Sequence, residues 1–191
     1  RSDSEGGLGT AAKYWASAFI DAVNAATYNG IPFYSDASNG SMYTHDVSAT
    51  DDTAQNNTAY GFTAMDAITT GDENTAIGYQ AGSKINIGAG NTILGAYAGD
   101  NLSTGGNNVA IGRSALGNED GHGKNVAVGY QALTNLNADQ DAYNVAIGYQ
   151  AGISVTTGIN NTFVGGLAGE LITIGVNNVA MGKNALSSNI D

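Results

Sequence analysis

Cysteine is absent from the chain, which removes a disulfide framework and thiolate chemistry from consideration. Proline occurs once in 191 residues, so the 28 glycines do not belong to the Pro/Gly composition of a disordered linker. Basic residues number only 6 and are scattered. With a formal net charge of −11, the chain lacks the Lys/Arg clusters that nucleic acids and anionic membranes select. No apolar run approaches the ~18 residues of a membrane-spanning helix, so no membrane insertion is expected. Large apolar side chains are also scarce. The 42% hydrophobic fraction leans on alanine, and only 12% of residues are charged. A conventional globular core would be thin, so the fold must draw on backbone hydrogen bonding, repetition or partner chains. The lack of cysteine fits an extracellular particle. The chain opens at Arg1 with neither Met nor a signal peptide, which reads as a processed form or a fragment.

What the sequence does contain is a repeat. NTAIGYQAG begins at Asn74, and NTILGAYAG begins at Asn91. Eight copies start at Asn57, Asn74, Asn91, Asn108, Asn125, Asn144, Asn161 and Asn178, at intervals of 17, 17, 17, 17, 19, 17 and 17 residues. Four residues later stand Gly61, Gly78, Gly95, Gly112, Gly129, Gly148, Gly165 and Gly182. An apolar column precedes each glycine: Tyr60, Ile77, Leu94, Ile111, Val128, Ile147, Val164 and Met181. Alanine closes each motif, from Ala64 to Ala185. The second half of the turn carries an aliphatic residue at Ile68, Ile85, Leu102, Leu136, Val155 and Ile172, and a glycine at 71, 88, 105, 158 and 175.

A fixed short period marks a solenoid. Seventeen residues are too few for a helix pair, and Val, Ile and Thr at the motif centre favour strands. The expected fold is therefore all-β, a parallel β-solenoid with turns of ~17 residues stacked about 4.8 Å apart. The asparagines are expected to form a hydrogen-bonded ladder. The glycines are expected at bends that need positive φ or close backbone approach. Alanine marks a tight interior. A core of mostly Ala, Ile and Val encloses little apolar volume, and burial against copies of the same chain would supply the missing area.

NNVAIG at 107–112, KNVAVG at 124–129 and YNVAIG at 143–148 resemble the head repeat of YadA-like trimeric autotransporter adhesins, a motif also found in bacteriophage tail fibres and virion appendage proteins. The resemblance spans roughly residues 56–189. It implies a left-handed β-roll assembled as a parallel homotrimer. The 17-residue turn is longer than the common adhesin turn, and these residues hold no heptad stalk. GGLGTAAKYWASAFIDAVNA at 6–25 is similar to segments of phage fibre and baseplate-associated proteins. In it and just beyond its end, Tyr14, Ala18, Ala22 and Ala26 lie at helical spacing, as do Trp15, Phe19 and Val23, although a strand is also compatible. The chain is thus divided into an N-terminal fibre-type or capping module (1–55) and a β-roll of eight repeats (56–191). The resemblance implies a structural and adhesive role in a tail fibre or virion appendage, with the head of a bacterial surface adhesin as the alternative. The implied partners are two further copies of the chain, other virion or fibre proteins, and a host cell-surface receptor such as a glycan. The implied location is the virion, or the bacterial surface in the alternative.

Catalysis needs converging polar groups, and none is legible. A hexapeptide acyltransferase repeats its aliphatic signal three times per coil, whereas IGYQAG occurs once per turn. An ice-binding solenoid needs a regular Thr array, but the column after Asn mixes Thr75 and Thr92 with Val109, Val126 and Val145. A non-enzymatic protein without a cofactor is expected. Departures from the repeat mark the candidate surface contacts. Glu119, Asp120 and His122 lie in the loop 117–124, where Glu119 breaks the aliphatic column. Asp139 and Asp141 lie in 134–143, within the 19-residue turn. A metal bound there is a minor alternative to a solvated loop, because calcium needs six to eight oxygens.

Overall fold

The computed structural model describes residues 27–28, 31–32, 34–36, 41–44 and 53–188. The helical spacing noted at 14–26 falls outside the described residues. The strands are β1 (Thr27–Tyr28), β2 (Ile31–Pro32), β3 (Tyr34–Asp36), β4 (Ser41–Tyr43), β5 (Thr58–Tyr60), β6 (Thr75–Ile77), β7 (Thr92–Leu94), β8 (Val109–Ile111), β9 (Val126–Val128), β10 (Val145–Ile147), β11 (Thr162–Val164) and β12 (Val179–Met181). β1 and β2 form an antiparallel pair. β3 pairs antiparallel with β4, and from β4 onward nine strands run parallel in chain order. The described residues therefore form a parallel β-solenoid of about eight turns, with no helix among them.

Each strand of the repeat is three residues long because asparagine bounds it on one side and a bending glycine on the other. Register follows the period: Thr75 pairs with Thr92, Thr92 with Val109, and Val109 with Val126. Across the long turn, Val126 still pairs with Val145 and Val128 with Ile147. The two extra residues are absorbed in the loop, and the sheet does not slip.

Alternation along a strand sends its central residue to one face and its two flanking residues to the other. Ala59, Ala76, Ile93, Ala110, Ala127, Ala146, Phe163 and Ala180 occupy the centre and point inward. The apolar column that precedes the glycine points out, away from this core. Tyr60, Ile77, Leu94, Ile147 and Met181 are 38–71% exposed. The core is built from the strand-centre residues, the second alanine column (Ala64, Ala81, Ala98, Ala115, Ala132, Ala151 and Ala168) and the aliphatic column of the second half-turn.

The ninth position of each turn completes this core. It holds Met65, Leu116, Leu133 and Leu186 in some turns and Gly82, Gly99, Gly152 and Gly169 in the others. The glycines flank the two large strand-centre residues. A Cβ on Gly169 would lie 2.7 Å from Phe163 Cδ1, and one on Gly152 would lie 2.8 Å from Phe163 Cδ2. Gly99 stands in the same relation to Ile93, at 3.0 Å from its Cδ1. Where the strand centre is alanine and no large residue intrudes from the next turn, Met or Leu fills the space. Such complementarity is how an interior reaches close packing.

The turns bend through left-handed backbone. The residue before each ladder asparagine, the seventh residue and the ninth residue all have positive φ, and for the non-glycine members it lies between 49° and 65°. This conformation costs an L-residue roughly 1–2 kcal/mol. Stacking offsets the cost, since the strained N–H groups find carbonyls in neighbouring turns: Glu73 N–H donates to Gln55 O (2.8 Å) and Tyr97 N–H to Tyr79 O (2.9 Å) in the preceding turn, and Leu116 N–H to Ala132 O (2.9 Å) in the following one.

Candidate functional site

The ladder asparagines are buried from Asn57 to Asn161. Each Oδ1 accepts the backbone N–H of the next asparagine, at 2.8 Å for Asn57 to Asn74 and 2.9 Å for Asn144 to Asn161. Most Nδ2 groups donate to a glycine carbonyl of the same turn, as Asn74 does to Gly88 (2.8 Å) and Asn144 to Gly158 (2.7 Å). The ladder thus runs mainly from side chain to backbone, although Asn91 Nδ2 also donates to Asn74 Oδ1 (3.0 Å). The first glycine column needs its residue type twice over. Gly129 has φ of +137°, and a Cβ there would lie 2.2 Å from Gly148 O. At Gly88, where φ is ordinary, close approach alone requires glycine, with Gly105 O 2.4 Å from the Cβ position. These residues are a scaffold: their polar atoms are spent on neighbouring turns.

The two irregular loops lie on successive turns, and the structure joins them through Glu119. Its side chain is fully buried in the slot that an aliphatic residue fills elsewhere. Its Oε1 accepts His122 N–H (3.0 Å) and its Oε2 accepts Ala138 N–H (3.2 Å). Burial pushes the carboxyl above its ordinary value, and the two backbone donors and His122 oppose this. His122 Nδ1 is 3.7 Å from Oε1, too long for a hydrogen bond and an ion pair only when the imidazole is protonated. Asp141 Oδ1 accepts Gly123 N–H (3.1 Å), and its Oδ2 accepts from Lys124 Nζ (2.5 Å), which also donates to Tyr143 OH (3.0 Å). The Lys124 bond holds the Asp141 carboxyl below the usual carboxylate range. Glu119 is therefore an internal strut, with no surface to offer a partner. Asp120 and Asp139 are exposed, and His122 and Asp141 partly so. No group of three or more His, Asp or Glu residues is placed to hold a metal ion among the described residues.

Two surface features remain, one built on the column after the glycine (Phe62, Tyr79, Tyr130 and Tyr149, interrupted by Ala96, Arg113, Gly166 and Lys183), whose mixture in the sequence suits a partly exposed or interface face, and one that no sequence pattern marks. The first is a continuous spine beside the sheet. Phe62 stacks on Tyr79 (6.1 Å between centroids), and Tyr79 meets Tyr97 edge-on (5.2 Å). Arg113 then lies over both Tyr97 (6.0 Å) and Tyr130 (5.8 Å), and Tyr130 stacks on Tyr149 (5.4 Å). The aromatic column reads as interrupted at Ala96 and Arg113, but Tyr97 and the guanidinium bridge the gap. The second is a cleft of about 370 Å³ beside this spine, lined among others by Tyr97, Asp100, Arg113, Asn118, Gln131 and Thr134. It opens where Gly117 stands in a column that carries Asp66, Ser83, Asp100, Thr134 and Glu170 in other turns. Partial burial pushes the Asp100 carboxyl up, against the pull of its own backbone N–H and of Lys84.

No protein family, curated protein or solved structure matches the chain. Function must therefore be argued from the faces that the solenoid presents.

Proposed function

We propose that the chain is a structural and adhesive module of a trimeric phage tail fibre or virion appendage, contributing without catalysis to attachment at a host surface. The observation that carries this reading is the outer face of the sheet. Two side chains of every strand from β5 to β12 point outward, and none is charged: Thr, Val, Ile, Leu, Tyr and Met fill all these positions. A contiguous apolar strip on an otherwise acidic molecule marks an interaction surface. Its repeat is that of the turns, about 4.8 Å. A second copy of this chain, parallel and in register, carries the same spacing and chemistry, so a closed ring of copies buries the strip on each. The NxVAIG-type repeats support three copies. Apart from the aromatic spine and exposed aliphatic residues such as Ile87 and Ile174, the remaining surface is rich in amide, hydroxyl and acidic groups, and three copies carry a formal charge of about −33, triple that of one chain. A receptor repeated on the host surface would be held with the avidity of three linked copies.

The test is binding of the fluorescently labelled chain to a panel of bacterial strains, beside a monomeric variant with Ile77→Glu and Ile147→Glu. Saturable binding to some strains, lost or weakened at least tenfold in the monomer, is expected. Failure to bind any strain, or equal binding by the monomer, would overturn the trimeric attachment role.

A further inference from the structure

We propose that the cleft at Gly117 is a binding site for one neutral sugar residue, a hexose or N-acetylhexosamine, of a host-surface glycan. The inference rests on the attachment reading for its biological source, but its chemistry stands on the cleft alone. At about 370 Å³ the space lies at the small end of the roughly 300–1,000 Å³ range of ligand pockets, the scale of one or two sugar rings. A pyranose offers hydroxyls that both donate and accept, and an apolar face. The lining answers each of these. The Asp100 carboxylate is an acceptor for a pair of hydroxyls, and it lies 3.5 Å from where a Cβ on Gly117 would stand. Thr134 donates its hydroxyl proton to Ser114 O (2.5 Å), so its oxygen faces the cleft as an acceptor. Gln131 accepts from Gln150 Nε2 through its Oε1 (2.8 Å), which leaves its amide N–H groups as donors. Tyr97 forms an aromatic wall, and Arg113, held over Tyr97 and Tyr130, sets the rim. Neutral sugar is favoured over acidic sugar because Asp100 lines the cleft and the whole chain is strongly acidic.

Gly117 is the element that makes the site. Its backbone φ is ordinary, and a Cβ there would meet Ser114 O and Thr134 Oγ1 at 3.4 Å, normal contact distances. No bend or close approach demands glycine, in contrast to Gly112 five residues earlier. What its missing side chain provides is the opening.

The experiment uses the full chain with free glucose, galactose, mannose, N-acetylglucosamine, rhamnose and glucuronate, read by saturation-transfer NMR, beside whole-cell binding. Gly117→Thr restores the side-chain column and plugs the cleft, and its fold is checked by circular dichroism and thermal melting. Asp100→Asn removes the carboxylate without touching the backbone, and Thr156→Ala on a distant turn is the control. The expected result is transfer to at least one neutral sugar, abolished in Gly117→Thr, weakened about tenfold in Asp100→Asn and unchanged in Thr156→Ala. Transfer to none of the sugars, to glucuronate alone, or equally in wild type and both cleft variants would overturn the proposal. If Gly117→Thr binds cells like wild type while no sugar binds, the cleft assignment falls and the attachment role stands. If sugar binding tracks the cleft but wild type binds no cells, the sugar site stands and the attachment role falls.

Discussion

Replacing Phe163 with alanine removes the largest strand-centre side chain of the core, and a second substitution, Gly169→Leu, should return much of what is lost. Phe163 is fully buried, and its ring occupies the space that Leu116 and Leu133 fill in turns whose strand centre is Ala110 or Ala127. Phe163→Ala alone leaves a cavity and should cost about 3–5 kcal/mol. Gly169→Leu alone drives a side chain into Phe163, whose Cδ1 and Cε1 are 2.7 Å from the Cβ position. Overpacking costs about 1–3 kcal/mol, and left-handed backbone adds roughly 1–2 kcal/mol for a residue with a Cβ. In the double variant the clash disappears and the leucine fills part of the cavity, as in the neighbouring turns. Its φ of +66° is close to those of Leu116 (53°) and Leu133 (49°), which tolerate that conformation. The double variant should sit only about 1–3 kcal/mol below wild type, a coupling of at least about 2 kcal/mol between the two sites. Urea unfolding at one fixed protein concentration measures all four proteins, because the proposed trimer would have a concentration-dependent apparent stability. Additive losses would refute the packing argument.

Gly129→Ala should destabilise by about 2 kcal/mol or more, since φ of +137° and a 2.2 Å approach to Gly148 O act together, and thermal melting checks it. Asn144→Ala strands the buried N–H of Asn161 and the carbonyl of Gly158, a loss of about 2–4 kcal/mol. Asn101→Ala, in the exposed ladder of Lys84, Asn101 and Asn118, should change stability by only about 0.5 kcal/mol in the same unfolding assay. Glu119 titrates above its ordinary 4.5 in the fold, so its protonated form is the one the fold favours. That contribution is complete below about pH 4.5 and is lost as pH rises through the raised value. Wild type should therefore gain stability over Glu119→Gln on acidification from pH 7 towards 4.5, as read from paired melting curves. Asp100, also raised, and Asp141, lowered, are common to both proteins and cancel in the difference.

The solenoid was legible because stacking forces identical residues into columns, and a column in space is a period in sequence. Asn74 and Asn91 are equivalent because one accepts the backbone proton of the other. The direction of the sheet was not legible. A three-residue strand such as Val145–Ile147 puts its two branched residues on one face and Ala146 on the other, and alternation alone does not say which face is inside. The bends on either side decide it, and they rest on left-handed residues such as Tyr143 before the strand and Gln150 after it, whose types do not announce that conformation. The packing of Phe163 against Gly152 and Gly169 left a trace in the sequence, since large strand centres coincide with glycine at the ninth position in the same and preceding turns. Glu119 shows in the sequence as a break in the aliphatic column. Its burial depends on two backbone donors, one of them from the neighbouring long turn, which no local pattern records. The Gly117 cleft is not legible because a glycine among many glycines carries no mark, and only ordinary φ together with the lack of any close backbone approach separates it from the structural ones.

In the proposed assembly, the uncharged outer face of the sheet is closed by two further copies of the chain. Light scattering across a dilution series tests it most directly. The expected result is a mass of about 58 kDa, three times 19.3 kDa, that persists on dilution and falls towards 19.3 kDa in the Ile77→Glu, Ile147→Glu variant. A wild-type particle that is monomeric at nanomolar to micromolar concentrations, or a trimer indifferent to charge on that face, would contradict it.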